Sequence, residues 1–247
     1  MNARREVPSR ACLFVGIVIL MTLVTIPSLA QTWEVTGGYQ SDNKGQYLSY
    51  LSGGAKLTGP TAGLPFEPIL HLLAFRQRYL FKVDGLVLEG HLNQLSPSVG
   101  IAKIIGDLEI LVSVGPAFQE TREDSDEVEG EKIASTGLGY DVNAYVSYWM
   151  GNDGFEGVFS YINLQNFFFG RTRWKHIMLE TEKGHPINLK SGLDLQAVGN
   201  AQFKQFFVGG LLETEVGKLE LLIKGGYQHN TTFHSGQYFG IEFYLPF

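Results

Sequence analysis

Apolar and polar residues alternate strictly over YFGIEFYLPF, residues 238–247, and this beat constrains the fold more than any other feature of the chain. Successive side chains of a strand point to opposite faces. Phe239, Ile241, Phe243, Leu245 and Phe247 therefore share one face, and Gly240, Glu242 and Tyr244 share the other. A terminal segment that frays in water would expose that apolar face, so something must cover it. The same beat recurs upstream. In LEILVSVGPAF, Leu108, Ile110, Val112, Val114 and Phe118 oppose Glu109, Ser113 and Gly115. In GLGYDVNAYVSYWM, Leu138, Tyr140, Val142, Ala144, Val146 and Tyr148 oppose Asp141, Asn143, Tyr145, Ser147 and Trp149. In KLELLIKGGY, Leu219, Leu221 and Ile223 oppose Glu220 and Lys224.

The amino-terminal stretch narrows the choice. Arg4, Arg5 and Arg10 precede an apolar run from Ala11 to Ile26, and Ser28 and Ala30 follow with the small-residue spacing of a cleavage site. That is the pattern of a secretory signal peptide. The run is shorter than the roughly 20 residues a spanning helix needs. The expected division is a signal peptide over residues 1–30 and one domain over residues 31–247. Cys12 is the sole cysteine and leaves with the signal, so the exported chain relies on neither a disulfide nor a thiolate site. The whole sequence carries a net charge of −6. Cleavage removes three Arg and one Glu and makes it more acidic, which disfavours nucleic acid as a partner.

No segment beyond the signal is long and apolar enough for a transmembrane helix, while glycine and aromatic residues are abundant. Many short alternating segments separated by turn residues are the mark of a transmembrane β-barrel. The segments fall near 32–40, 46–57, 68–83, 86–105, 107–120 and 134–150, then 154–164, 167–178, 186–198, 201–215, 218–229 and 235–247. The fold class is all-β: a transmembrane antiparallel β-barrel of about 12 strands (10–14) in the outer membrane of a Gram-negative bacterium. Gly106-Asp107, Gly151–Asp153 and Gly217-Lys218 supply hairpin turns. The polar run ETREDSDEVEGEK should then form a long loop on the opposite side. Pro97 leaves open whether residues 86–105 make one bent strand or two. A closed barrel has no free edge, so every backbone donor and acceptor is satisfied within the bilayer and the apolar faces meet lipid. The competing arrangement is a soluble sandwich or lipocalin-like barrel with its apolar face inward.

Four stretches carry a family resemblance: DLEILVSVGPAFQETRED, YDVNAYVSYWMGNDGFEGVFSY, SGLDLQAVGNAQFKQFFVGGLLETEVGKLELLIKGGY and the closing YFGIEFYLPF. They are strand-and-turn features: Gly199-Asn200 opening a hairpin, a Gly-Gly strand and an aromatic close. With them the second half resembles the cellulose biosynthesis protein S (BcsS) family of outer-membrane barrels. The resemblance implies a non-enzymatic accessory role in cellulose, or exopolysaccharide, biosynthesis, export or surface anchoring. It implies no metal and no cofactor. Expected partners are outer-membrane lipid and, as candidates, cellulose or components of the cellulose synthase complex. The alternatives are a small general porin or structural barrel and a rim esterase of lipid A deacylase type.

Four constellations could carry chemistry. His229, Thr231, His234, Ser235 and Glu242 lie within one hairpin and offer the groups of an esterase triad. The serine of that deacylase family stands two residues after its histidine, where this chain has Thr231, so a polar loop accounts for them better. Glu120, Glu123, Asp124, Asp126, Glu127, Glu129 and Glu131 offer oxygens to calcium without an alternating ligand pattern, and a solvated loop explains them as well. Phe167 to Phe169 beside Arg171, Arg173, Trp174 and Lys175 read as an interfacial girdle with its cations near lipid phosphates. Glu109, Asp141, Asn143, Lys224 and Glu242 should point into the lumen with Tyr145, Trp149, Tyr238 and Tyr244. Tyr145 and Trp149 are the candidate glucan contacts, because sugar rings stack their C–H faces on aromatic rings. Catalytic, cofactor and metal residues are expected to be absent.

Overall fold

A computed structural model describes residues 30–57, 65–83, 86–125, 133–180, 187–200, 203–231 and 234–247. The expected signal peptide, most of the 59–65 connection, the 181–186 connection and the core of the acidic run lie outside the described residues. Twelve strands follow in chain order: β1 (Ala30–Asp42), β2 (Tyr47–Leu57), β3 (Glu67–Val83), β4 (Leu86–Ile105), β5 (Leu108–Ser125) and β6 (Ile133–Met150), then β7 (Asp153–Ile162), β8 (Phe167–Glu180), β9 (Ile187–Gly199), β10 (Lys204–Val216), β11 (Leu219–Asn230) and β12 (His234–Pro246). Each pairs antiparallel with its chain neighbours, and β1 closes on β12. The structure is the closed antiparallel barrel that the alternation predicts. The hairpin turns at Gly106, Gly151 and Gly217 take positive φ, the left-handed region glycine enters without steric cost.

The outward faces carry Val99, Ile101, Ile110, Val112, Val114, Leu195, Val208, Ile223 and Ile241, all exposed. So large an apolar belt is unfavourable in water and matches the lipid-facing band of an outer-membrane barrel. Tyr148 and Trp174 stand toward the end that carries both termini. Tyr39, Tyr140 and Tyr227 stand toward the other. Girdles at both levels are what two membrane interfaces favour. The competing inward-apolar barrel does not fit these faces.

One detail differs from the expectation, and another decides an alternative the sequence leaves open. The acidic run begins as strand: Glu120 to Ser125 extend β5, and β6 starts at Ile133, so the expected loop is confined to the residues between them. The strands β3 to β6 are 17, 20, 18 and 18 residues long and raise a tall wall on that side of the barrel. Pro97 lies inside one continuous β4, directly opposite Pro116 of β5. Pairing runs to Leu95↔Phe118 and resumes at Val99↔Val114 in the same register. Two facing prolines supply no N–H to the ladder, so pairing lapses there without a bulge.

Phe247 exchanges backbone hydrogen bonds with Trp33 of β1, its N–H donating at 2.7 Å and its carbonyl accepting at 3.5 Å. Its ring is exposed on the lipid-facing side. Deleting Phe247 removes both bonds, each worth about 1 kcal/mol, at the seam that closes the barrel. The yield of heat-modifiable, folded barrel should fall further than for Glu127→Ala. Equal surface levels of the two variants would contradict this.

Candidate functional site: the lumen

The inward faces are stacked in three layers. At the mouth away from the termini, Ala117, Ile162, Phe167, Val198, Phe203, Phe207 and Tyr238 form a buried apolar cluster. Ring pairs knit it to the wall: Phe75 with Phe167 at 6.2 Å, Tyr79 with Phe203 at 5.5 Å, and Phe207 edge-on to Tyr238 at 5.2 Å. The β7–β8 connection dips into this mouth. Its 3₁₀ turn, Leu164–Asn166, sets Leu164 against the cluster. Gly139 is what permits the approach, since a Cβ there would lie 2.2 Å from the Asn163 side-chain oxygen. That oxygen accepts from the Tyr140 amide at 2.7 Å.

Beneath the rings lies a buried ionic layer. Arg173 donates from Nε to Asp194 at 2.8 Å and from Nη2 to Glu242 at 2.7 Å. Lys224 reaches Glu242 at 2.7 Å and Asp194 at 3.8 Å. Arg171 donates through Nη1 to both Glu242 oxygens at 3.2 Å, and Tyr238 donates to Asp194 at 3.4 Å. This overturns the girdle expected for residues 167–175. Phe167, Phe169, Arg171, Arg173 and Lys175 are odd-numbered neighbours on one strand face, and that face is the lumen. Only Phe168, Thr172, Trp174 and their even-numbered neighbours point to lipid. Parity along the strand would have found this.

The third layer is open. A cavity of about 730 Å³ begins under the rings, passes the ionic layer and reaches the rim at the end that carries the termini. One wall holds small neutral groups: Ser52, His71, Ser113, Asn143 and Ser160. Ser52 and His71 share a 2.6 Å hydrogen bond at the imidazole Nε2. Toward the rim Lys175 meets Glu156 and Glu213, both at 2.6 Å. Lys190 meets Glu213 at 2.8 Å and also contacts Glu215. Oxygens of Glu213, Glu215 and Glu220 lie within 4.8 Å of one another, a spacing a cation could use, but the two lysine ammonium groups already sit among them.

Tyr145 and Trp149 both face this cavity, as their parity predicts. Trp149 lies flat across Gly154 of β7, where a Cβ would be 2.7 Å from its ring, and Lys190 sits 5.2 Å from the ring centroid. Tyr244, also on the wall, donates to Glu34 at 3.2 Å, and Lys56 meets Glu109 at 2.8 Å. The remaining lumen expectations hold for Asp141, Asn143, Tyr238, Lys224 and Glu242, which all point inward.

Of the rim residues, His229 and Ser235 pair across β11 and β12, but Glu242 does not join them. Glu242 is buried in the ionic layer, far down β12. Thr231 accepts from the Lys204 amide and closes the β10–β11 end, while His229 and Ser235 are exposed on the outer face. In the acidic run, Glu120 accepts from Arg122 at 2.7 Å.

No protein-family model matches the chain, and no curated protein matches its sequence. Among solved structures, the β domain of the Bordetella autotransporter BrkA is similar over 88% of this chain and 99% of that one, with a TM-score of 0.52 and 10% identity. The translocator domain of the autotransporter NalP from Neisseria meningitidis is similar over 96% of each chain, with a TM-score of 0.50 and 13% identity. The chain has the fold of an outer-membrane β-barrel. At these identities the likeness is one of fold, and function must be argued from the lumen itself.

Proposed function

We propose that this barrel resides in the outer membrane and is an accessory to cellulose, or related exopolysaccharide, biosynthesis, export or surface anchoring, holding a segment of glucan in its vestibule. The polymer assignment rests on the resemblance of the four strand-and-turn stretches to the BcsS family. One observation carries the lumen's part in it: the cavity is stoppered by rings at the far mouth, opens at the terminus end, and has Trp149 lying flat on its wall with Tyr145 beside it on the same strand face. Cellulose is uncharged, so its recognition must come from aromatic faces and neutral polar groups. The hydroxyls and amides of Ser52, Ser113, Asn143 and Ser160 supply the latter. The ring layer counts against a general porin, which needs a continuous aqueous channel, and the burial of Glu242 in the ionic layer, away from His229 and Ser235, counts against a rim esterase.

Trp149→Ala tests the reading. Truncating a central aromatic anchor costs on the order of 2 kcal/mol, so cello-oligosaccharide binding to the purified barrel should weaken roughly tenfold or more. Cellulose retained at the cell surface should fall, with heat-modifiable migration intact. Unchanged binding and display in an assembled variant would remove Trp149 from the site.

A further inference from the structure

We infer that the roof of the vestibule binds one carboxylate, carried by an acidic saccharide, on Arg171. The inference takes its saccharide from the function proposed above and adds a charged subsite to it. Three cations, Arg171, Arg173 and Lys224, meet two carboxylates, Asp194 and Glu242, in the ionic layer. Arg173 and Lys224 hold contacts of 2.7–2.8 Å to those carboxylates, the length of a good charge-assisted bond, and alone they balance the layer. Arg171 is the third cation; its contacts to the carboxylates are the two longer ones of 3.2 Å, both from one nitrogen, and its other neighbour is the neutral Tyr50. Its side chain is 14% exposed, and what remains accessible faces the cavity. The layer therefore carries one positive charge more than its carboxylates balance, and it faces the cavity. An anion entering the cavity would balance that excess.

The surroundings favour an acceptor. Tyr50 stands beside Arg171, and both line the cavity with Ser52 and Asn143. Ionised carboxylates only accept hydrogen bonds, which suits a guanidinium whose remaining N–H groups face the cavity. The excess is one unit of charge, which a carboxylate matches. A phosphate monoester would bring about −1.5 to −2 and reverse the imbalance. The ring nearer the rim has the opposite bias, with Glu156, Glu213, Glu215 and Glu220 around Lys175 and Lys190. An acid group is therefore favoured at the roof and disfavoured below it, which orients the ligand. Gly154 pairs with both Trp149 and Lys175, so Trp149 lies level with a residue four positions along β8 from Arg171. That is about 13 Å along the strand, room for a short oligosaccharide with its neutral ring on Trp149 and its carboxylate on Arg171.

The test measures binding of cellobiose, cellobiuronic acid (the disaccharide ending in glucuronate) and free glucuronate to the detergent-solubilised full barrel. Arg171→Gln leaves two cations facing two carboxylates, so it should assemble, as heat-modifiable migration would show. Wild type should bind the acidic disaccharide about tenfold more tightly than cellobiose, the gain of one charge-assisted bond. In Arg171→Gln the ratio of the two affinities should fall to about one, whereas Trp149→Ala should weaken both disaccharides together. Equal affinity for both in wild type, or a preference that survives Arg171→Gln, overturns the inference and leaves the glucan reading standing. Arg171-dependent binding of glucuronate with no binding of cellobiose sinks the glucan reading and leaves the carboxylate subsite. Binding of none of the three overturns both.

Discussion

Glu242→Ala is expected to abolish or severely reduce barrel assembly, the largest effect of any single substitution in the lumen. Glu242 is touched by Arg171, Arg173 and Lys224. Without it, three cations face Asp194 alone, and the side chains of Arg173 and Lys224 are only 4% and 3% exposed. Breaking a buried pair by removing one partner costs about 3–5 kcal/mol, mostly from the charge left behind, and here three pairs share the lost partner. Glu242→Gln keeps the shape and loses the charge, so it should fail in the same way and separate charge from packing. Glu120→Ala serves as the control. Its bond to Arg122 is partly exposed, and such pairs are worth about 1 kcal/mol or less. The folded fraction by heat-modifiable migration and the urea midpoint in micelles read the result. A Glu242→Ala barrel with the wild-type midpoint would contradict the account of the ionic layer.

In planar bilayers the wild-type barrel should show no sustained open-pore conductance, and the double variant Phe203→Ala, Phe207→Ala should show discrete steps. Phe203 stacks on Tyr79, Phe207 meets Tyr238 edge-on, and both fill the far mouth with Leu164 and Phe167. Each truncation removes a large buried ring and costs about 3–5 kcal/mol, so the double variant is read only in preparations that still migrate as folded barrel. Steady conductance by the wild-type protein would mean that the ring layer does not seal the lumen, and it would restore the porin reading.

How much of this was legible in the sequence depended on whether the period was followed through. Strict parity placed Tyr145, Trp149, Asp141 and Glu242 on the inner face, where they lie. Composition alone groups Phe167 to Lys175 and sends their cations to the lipid headgroups, whereas parity turns Arg171, Arg173 and Lys175 inward. Glu242 was grouped with His229 and Ser235 because they are near in sequence. Seven residues of strand separate Ser235 from Glu242 by about 23 Å, more than any triad spans. Glu120 to Ser125 read as loop because a strand end that rises clear of the apolar belt is wetted on its outer side and needs no apolar face. The pairing of Arg173 with Glu242 was beyond reach, because it joins β8 to β12 across the lumen and depends on where the closed wall brings those two strands.

The facing prolines divide what would be the longest seam of the barrel into two ladders. One pairs Leu88–Leu95 with Phe118–Ser125, the other Val99–Ile105 with Leu108–Val114. Cooperativity along a hairpin is carried by uninterrupted neighbouring bonds, so the break sets a boundary between two units that open with separate free energies. The lower unit is tied to the tight turn at Gly106 and belongs to the membrane-embedded ring. The upper unit can breathe in water at little cost to the ring, which gives the barrel a soft collar on a rigid stem.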